Sequence, residues 1–458
     1  MSEPTKESSA ANELVKAYAA NAAFRAATAE ELVNADNPFR RPVRPDDLDF
    51  LDYDRELPVD QVLLLSSLLG HRMLRNIYDA DAVYLPPSGD SPAWQDLPRF
   101  YSDENRLAGH RAGRVLERHL FSFLAAERPA LERPSAAAVG ELVLGELEER
   151  RANPGRAFPV LNSCQDRRYA ATFLLLQLTA VLPAANSAVA RNLVGDYDAV
   201  LPGLGSALVD AHRNWLGDAT RLRDALGECD LVTGPNAYWQ FYLTSSLARA
   251  NHLHFVSSGH ERFFEFLGAW AHKLVDDAVR AEQFRSVVAD AFGVEGGVLT
   301  AAQAPEALVT PLLTTLEERF GASALRGFHA GFSDARWLAD LWDRDLATQL
   351  DWADRIDEYK DKAEKLAHKI EAENIEVDLE TFVESEEETS TTHVHDDHRL
   401  VVVEVGQMHF WNNAGRVIPL SVGDKVLIPA ERLHGSVVLS GTCTYHQPVI
   451  SEELLNSI

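Results

Sequence analysis

The sequence predicts a multidomain chain in which a large all-α region is followed by a small all-β domain. Three observations carry this. The 458 residues set a soft expectation of about three domains. From Val59 to about Glu373 apolar residues recur at three-and-four spacing, the period of a helix face. Beyond residue 374 that period gives way to short β-branched and aromatic runs separated by turn signals, which is the pattern of strands and hairpins.

In chain order, residues 1–55 read as one short helix, Asn12 to Ala27, and a connector rich in Pro, Asp and Arg. "DQVLLLSSLLGHRMLRNIY" and "ENRLAGHRAGRVLERHLFSFLAA" are amphipathic. "YAATFLLLQLTAVLPAANSAVARNLV" is apolar over most faces, as a central buried helix is. "SSGHERFFEFLGAWAHKLVDDAVRAEQF" opens with serine caps and keeps an apolar stripe through Phe263, Phe266, Trp270 and Leu274. From Trp337 to Glu373 the helix grows more charged and reads as a solvated connector. "IEVDLETFVES", "RLVVVEVGQMHFW", "DKVLIPAERLH" and "GSVVLSGTCTYHQPVI" are the strands, with turns at "NNAGR" and "VGD". The expected divisions are an N-terminal helical region at 1–130, a helical bundle at 131–335, a connecting helix at 336–374 and a β domain at 375–458.

Hydrophobic residues make up 46% and charged residues 25%, ordinary values for a soluble globular chain. The longest apolar runs, such as "FLLLQLTAVL", read as too short to span a bilayer. Cys164, Cys229 and Cys443 are few and scattered, which argues against a disulfide framework and for a reducing, cytoplasmic setting. A net charge of −27 opposes binding to nucleic acid or an anionic membrane. The most basic stretch, "FRRPVRPDD" at 39–47, partly cancels its own charge. A small molecule is the expected partner.

Chemistry concentrates in "TTHVHDDHRL" at 391–400. His393 and His395 stand two apart before a strand, so their side chains point to one face. Twenty-eight residues after His395 begins "GDKVLIPAERLHGSVV", with a turning Gly423, Pro429 at a strand edge and His434 five residues later. This resembles the two metal-binding motifs of the cupins, with Glu431 where that family usually has a second glycine. The resemblance implies a small β-barrel holding a metal. The family's glutamate ligand would fall at Arg399 or Leu400, so the implied site is three histidines, His393, His395 and His434. Imidazole suits iron, copper, nickel and zinc alike. The competing reading makes these histidines solvated rim residues of a metal-free barrel. His398 is expected to face the other way, His446 to line the cavity or support a ligand, and Arg399 or His446 to position an acidic substrate group. His409, Phe410 and Trp411 read as wall.

One helix carries a second candidate. Glu261, Glu265, His272 and Asp276 are spaced four, seven and four apart, one narrow stripe at about 100° per residue. Such stripes build di-iron sites in helical bundles, and an outward polar face produces the same pattern. His212, His252 and His254 add imidazoles nearby.

Taken together, the layout resembles the nitrosourea-forming metalloenzymes of streptozotocin biosynthesis, over the whole chain. That resemblance implies a heme-oxygenase-like di-iron domain, an Fe(II) cupin, a homodimer, dioxygen and an amino-acid-derived substrate whose nitrogens are rearranged. The family's helical pattern H-x3-D-x2-H is broken here: His272 and Asp276 are followed by Val279, and His329 by Ser333 and Arg336. A complete helical di-iron site is therefore not expected. The expected function is a non-heme oxygenase of the cupin type acting on N–N or N–O bonds in natural-product biosynthesis. A zinc cupin isomerase or hydrolase and a non-catalytic binding protein are the alternatives.

Overall fold

A computed structural model describes residues 10–21, 48, 51–80, 98–99, 101–231, 233, 238–293, 298–300, 305–386, 389–411, 417–438 and 441–458. The basic stretch at 39–47, the turn at 412–416 and the C-terminal part of the expected first helix lie outside them. Among the described residues, the α-helices longer than four residues are α1 (Ala10–Ala20), α2 (Leu65–Ala80), α3 (Asp103–Phe121), α4 (Ala136–Ala152), α5 (Ala157–Ser163) and α6 (Arg167–Asn192). They continue with α7 (Leu204–Glu228), α8 (Thr244–Ser257), α9 (Phe263–Phe292), α10 (Pro305–Asp354) and α11 (Ile356–Glu373). Side-chain caps start three of them: Ser102 for α3, Ser135 for α4 and Asp166 for α6. The serine caps expected before Phe263 belong elsewhere. Ser257 closes α8, and α9 starts at Phe263 with no side-chain cap.

Helix α6 is the centre of the bundle, with Phe173, Leu174, Leu175 and Ala180 fully buried. It is long and apolar enough to cross a membrane, contrary to the reading of its shorter apolar run, yet 72% of its most apolar window is buried in protein. Helices α9 and α10 meet backbone to backbone through Gly268 and Gly331. A Cβ on Gly268 would sit 1.9 Å from the Phe328 carbonyl oxygen, and one on Gly331 would sit 1.8 Å from that of Glu265.

The C-terminal strands are β1 (Thr381–Ser385), β2 (Thr389–His393), β3 (His398–Val405), β4 (Gln407–Trp411) and β5 (Val417–Ser421). After them come β6 (Lys425–Ile428), β7 (His434–Val438), β8 (Thr442–His446) and β9 (Val449–Ile450). They pair antiparallel in two sheets, β1-β8-β3-β6 with β9 beside β3, and β2-β7-β4-β5. The expected closed barrel is corrected to two facing sheets. The strands are short and β2 is bulged between Ser390 and His393, so side chains rather than a continuous ladder close the core. Val401, Val403, Ile428 and Tyr445 from one sheet meet Met408, Phe410, Leu420 and Val438 from the other.

The charged helix α11 is not solvated all round. Its Ala363 and Leu366 are buried against Leu400 and Leu427 of the sheet, and Trp352 and Ile356 enter the β core.

Candidate metal centre

Strand alternation builds the centre. His393 ends β2, His434 opens β7, and the two are cross-strand partners. Opposite residues in a ladder bring their Cβ atoms within about 5 Å. His395 follows on the same face, and its carbonyl accepts from the Glu431 amide at 2.8 Å, tying the two histidine segments together. The ring centroids lie 4.8 Å (His393–His395), 4.4 Å (His393–His434) and 5.1 Å (His395–His434) apart. One nitrogen from each ring can be chosen so that all three lie within 4.8 Å of one another. Among the described residues this is the one group of three or more histidine, cysteine or acidic side chains that converges so closely.

Protonation and tautomer suit coordination. His393 Nδ1 donates to the Thr391 carbonyl at 2.9 Å and His434 Nδ1 to that of Arg432 at 2.7 Å. Each bond leaves Nε2 as the lone-pair nitrogen, the arrangement metal-ligating imidazoles adopt. Burial, then the charges of His393 and Arg399, push His395 down to about 3. Burial, then His393 and His395, hold His434 well below the ordinary histidine value, against the raising effect of its bond to Arg432. The Nε2 atoms of His395 and His434 are buried with no hydrogen-bond partner. Unpaired buried polar atoms are costly, and a cation between the rings would satisfy them. The residues present therefore fit a metal ion. Phe410 stacks on His434 with centroids 5.6 Å apart and an interplanar angle of 22°, an apolar wall beside the rings.

The neighbours divide by face. Val401 and Val403 lie in the β core while Leu400 and Val402 pack outward, so Arg399 is on the inner face and His398 on the outer. Arg399 is already engaged, donating to Asp397 and Glu380. It raises the local positive potential but has its guanidinium committed to carboxylates. His398 bonds Glu452 at 2.8 Å and accepts from the Ala430 amide at 3.0 Å. His446 pairs with Val402 and therefore stands on the outer face, where it meets Thr381 Oγ1 at 2.9 Å and Glu404 at 3.3 Å. Its expected place in the cavity is corrected by that register.

The helical stripe does not assemble a metal site. Glu261 is exposed beside Arg262 and Glu265 is half-buried, its carboxyl raised by burial against the pull of Arg262 and Arg128. His212 Nδ1 is buried without a partner on α7. His272 and Asp276 are buried, so the outward polar face also fails as a description of the stripe. Asp276 Oδ1 accepts from Arg280 Nε at 2.8 Å, Oδ2 from Arg249 Nη2 at 2.8 Å, and Arg150 Nη1 lies 3.6 Å away. Burial alone would raise this carboxyl, but Arg249, Arg280 and Arg150 hold it well below its ordinary range. Glu146, 3.9 Å from His272 Nε2, pairs with Arg150 and with Arg336 at 2.7 Å, and Arg280 reaches Asp343 at 3.0 Å. Guanidinium groups carry no lone pair and a permanent charge, so this network does not fit a di-iron centre. The sequence reading missed these arginines. Their signal was the placement of Arg249 among apolar neighbours in "SSLARANHLHFV".

A helical bundle fused to a two-sheet β domain whose inner face gathers three imidazoles defines a class of enzyme with a three-histidine metal-type centre. Comparison with known proteins names the family. The chain is 30% identical over 432 residues, 90% of its length and 90% of the relative's, to the nitrosourea synthase of Streptomyces achromogenes subsp. streptozoticus. It belongs to the nitrosourea synthase family. No protein-family model matches the chain.

Proposed function

We propose that this protein is a non-heme, iron-dependent oxygenase of the cupin type that forms or rearranges N–N or N–O bonds on a modified amino acid in natural-product biosynthesis. The observation that carries the reading is the convergence of His393, His395 and His434, with the Nε2 atoms of His395 and His434 buried and unpaired. The relative's activity as a nitrosourea synthase supports N–N chemistry.

Three imidazoles would hold an Fe(II) ion, which when bound supplies a Lewis-acidic centre with open positions for dioxygen and substrate. The Nδ1–H bonds of His393 and His434 fix ring orientation. Phe410 and the apolar inner face exclude water from one side of the rings. Arg399, neutralised by Asp397 and Glu380, keeps positive potential near the inner face without presenting a free cation. On this reading the helical bundle supports the centre and contributes to a homodimer, and it holds no di-iron site.

The test is to load the protein anaerobically with Fe(II), add N-hydroxylated guanidino amino acids and then dioxygen, and follow oxygen uptake and nitroso products by mass spectrometry. Iron-dependent product that disappears in His434→Ala supports the reading. Turnover that is unchanged by iron removal, or no turnover of any such substrate, counts against it.

A further inference from the structure

The residues that alternate with the histidines are held by helices rather than by the sheets. Thr392 immediately precedes His393, and Leu433 immediately precedes His434. Both are buried. Arg72 of α2 donates through Nη1 to the Thr392 carbonyl and through Nη2 to Thr392 Oγ1, each at 2.7 Å. Gln240 completes the grip, its Oε1 accepting from the Thr392 amide at 3.3 Å and its carbonyl from Thr392 Oγ1 at 2.6 Å. Arg72 is itself steadied over the Trp239 ring, 4.9 Å from the centroid. On the other segment, Gln349 of α10 donates to the Leu433 carbonyl and accepts from the Leu433 amide, both at 3.1 Å. One buried amide thus gives Leu433 the two bonds that a neighbouring strand would give.

Apolar packing follows the same alternation. Val394, between His393 and His395, and Leu433 belong to the hydrophobic core of the helical bundle, with Trp239, Leu346 and Leu350. Side chains on one face of these segments are thus sunk in helices while those on the other face gather into the three-histidine centre.

We propose that Arg72, Gln240 and Gln349 are positioning residues for the three-histidine centre, setting the register and rotation of both ligand-bearing segments through Thr392 and Leu433. The proposal rests on reading that centre as a metal site. A coordination site needs its ligands held within about 0.5 Å and 10–20°, and a strand end held only by its ladder is free to fray. The side-chain types match the task. The planar fork of arginine reaches a carbonyl and a hydroxyl at once, which an ammonium does with less geometric control. A glutamine offers the donor and acceptor pair that one exposed peptide unit requires. Simple glue between domains would lower stability when lost and leave the metal geometry untouched. Positioning predicts the reverse emphasis.

Cobalt(II) reports both affinity and geometry through its visible d–d band. In the full-length protein, Arg72→Met and Gln349→Met should weaken cobalt binding, measured by chelator competition, on the order of tenfold or more, and should shift the band. Arg72→Lys should recover part of the loss. Leu208→Ala, which removes a fully buried side chain from a different cluster of the helical core, should lower the melting temperature with affinity and band unchanged. Should Arg72→Met fail to fold, Thr392→Val keeps the side-chain shape, removes the hydroxyl and gives the same readout. Wild-type affinity and band in the variants would overturn the clamp while wild-type cobalt binding, lost in His434→Ala, still upheld the metal site. A wild-type protein that binds no cobalt at this centre would overturn both.

Discussion

Glu431 has a backbone φ of 63°, the left-handed region that costs a residue with a Cβ about 1–2 kcal/mol. It stands between Pro429 and His434, where the resembled motif places glycine, and its amide holds the His395 carbonyl. The turn therefore keeps the conformation of the motif while its residue departs from it. Glu431→Gly should raise stability by about 0.5–1 kcal/mol, since relief of strain exceeds the added freedom of the unfolded chain. Thermal unfolding with metal content checks this, and a fall in melting temperature would show that the carboxylate, 3.7 Å from Arg432, matters more than the strain. The histidines were legible in the sequence because two short motifs with fixed spacing fix their face. Arg399 and His446 were not, because what each side chain meets depends on Glu380 and Thr381, which only the strand register brings close.

At the level of elements, α9 presents two different things along one stripe. Near its start Glu265 is half-buried, and further on His272 and Asp276 are sealed against α4, α8 and α10. Asp276→Asn should lower stability by about 3–5 kcal/mol, because removing one partner leaves buried guanidinium charge uncompensated, while metal content stays at the wild-type value. Glu265→Ala with His272→Ala should likewise leave metal content unchanged, with the stability cost coming from buried His272. Loss of metal in either protein would place ligands in the helices. The helical period was readable along α2, α3 and α9 because apolar spacing is local. The arginine network was not, since Arg150, Arg249 and the Asp276–Arg280 pair lie far apart in sequence and a charged residue reads as solvent-facing until its neighbours are known. The outer-facing residues of the ligand segments, Thr392, Val394 and Leu433, were hidden for the same reason.

Over the whole molecule, seven imidazoles among the described residues are held below the ordinary histidine value, His119 and His329 moderately and five others strongly. His71 is pushed to about 3 by burial and then by His119, and His395 to about 3 by burial, His393 and Arg399. His254, His272 and His434 are held well below the ordinary value, burial being the first cause in each. The sign follows from proton uptake. Below about pH 6.5 the unfolded chain protonates these groups and the fold does not, so acid favours unfolding. Stability is fully present above that pH and falls toward pH 3, each group contributing up to about 1.4 kcal/mol per pH unit. The buried carboxyls of Glu146, Asp277 and Asp345 and the half-buried one of Glu265, all raised by burial, act in the opposite sense and are fewer. Denaturant unfolding of metal-free protein from pH 7 to 5 should show a steady loss, and a flat profile would contradict it. The order of helices then strands was legible because the hydrophobic period changes once, near residue 374. Two facing sheets in place of a barrel, and a β domain that lends Val394 and Leu433 to the helical core, were not, since both depend on pairings between distant segments.

The central claim is one metal centre per chain, built by His393, His395 and His434. Iron analysis of protein purified without oxygen and reloaded with Fe(II), beside the His393→Ala, His395→Ala and His434→Ala variants, tests it most directly. About one iron per wild-type chain and little in any variant is the expected result, since too few donors remain for tight binding. Iron near three per chain, or a content unchanged in all three variants, would contradict it.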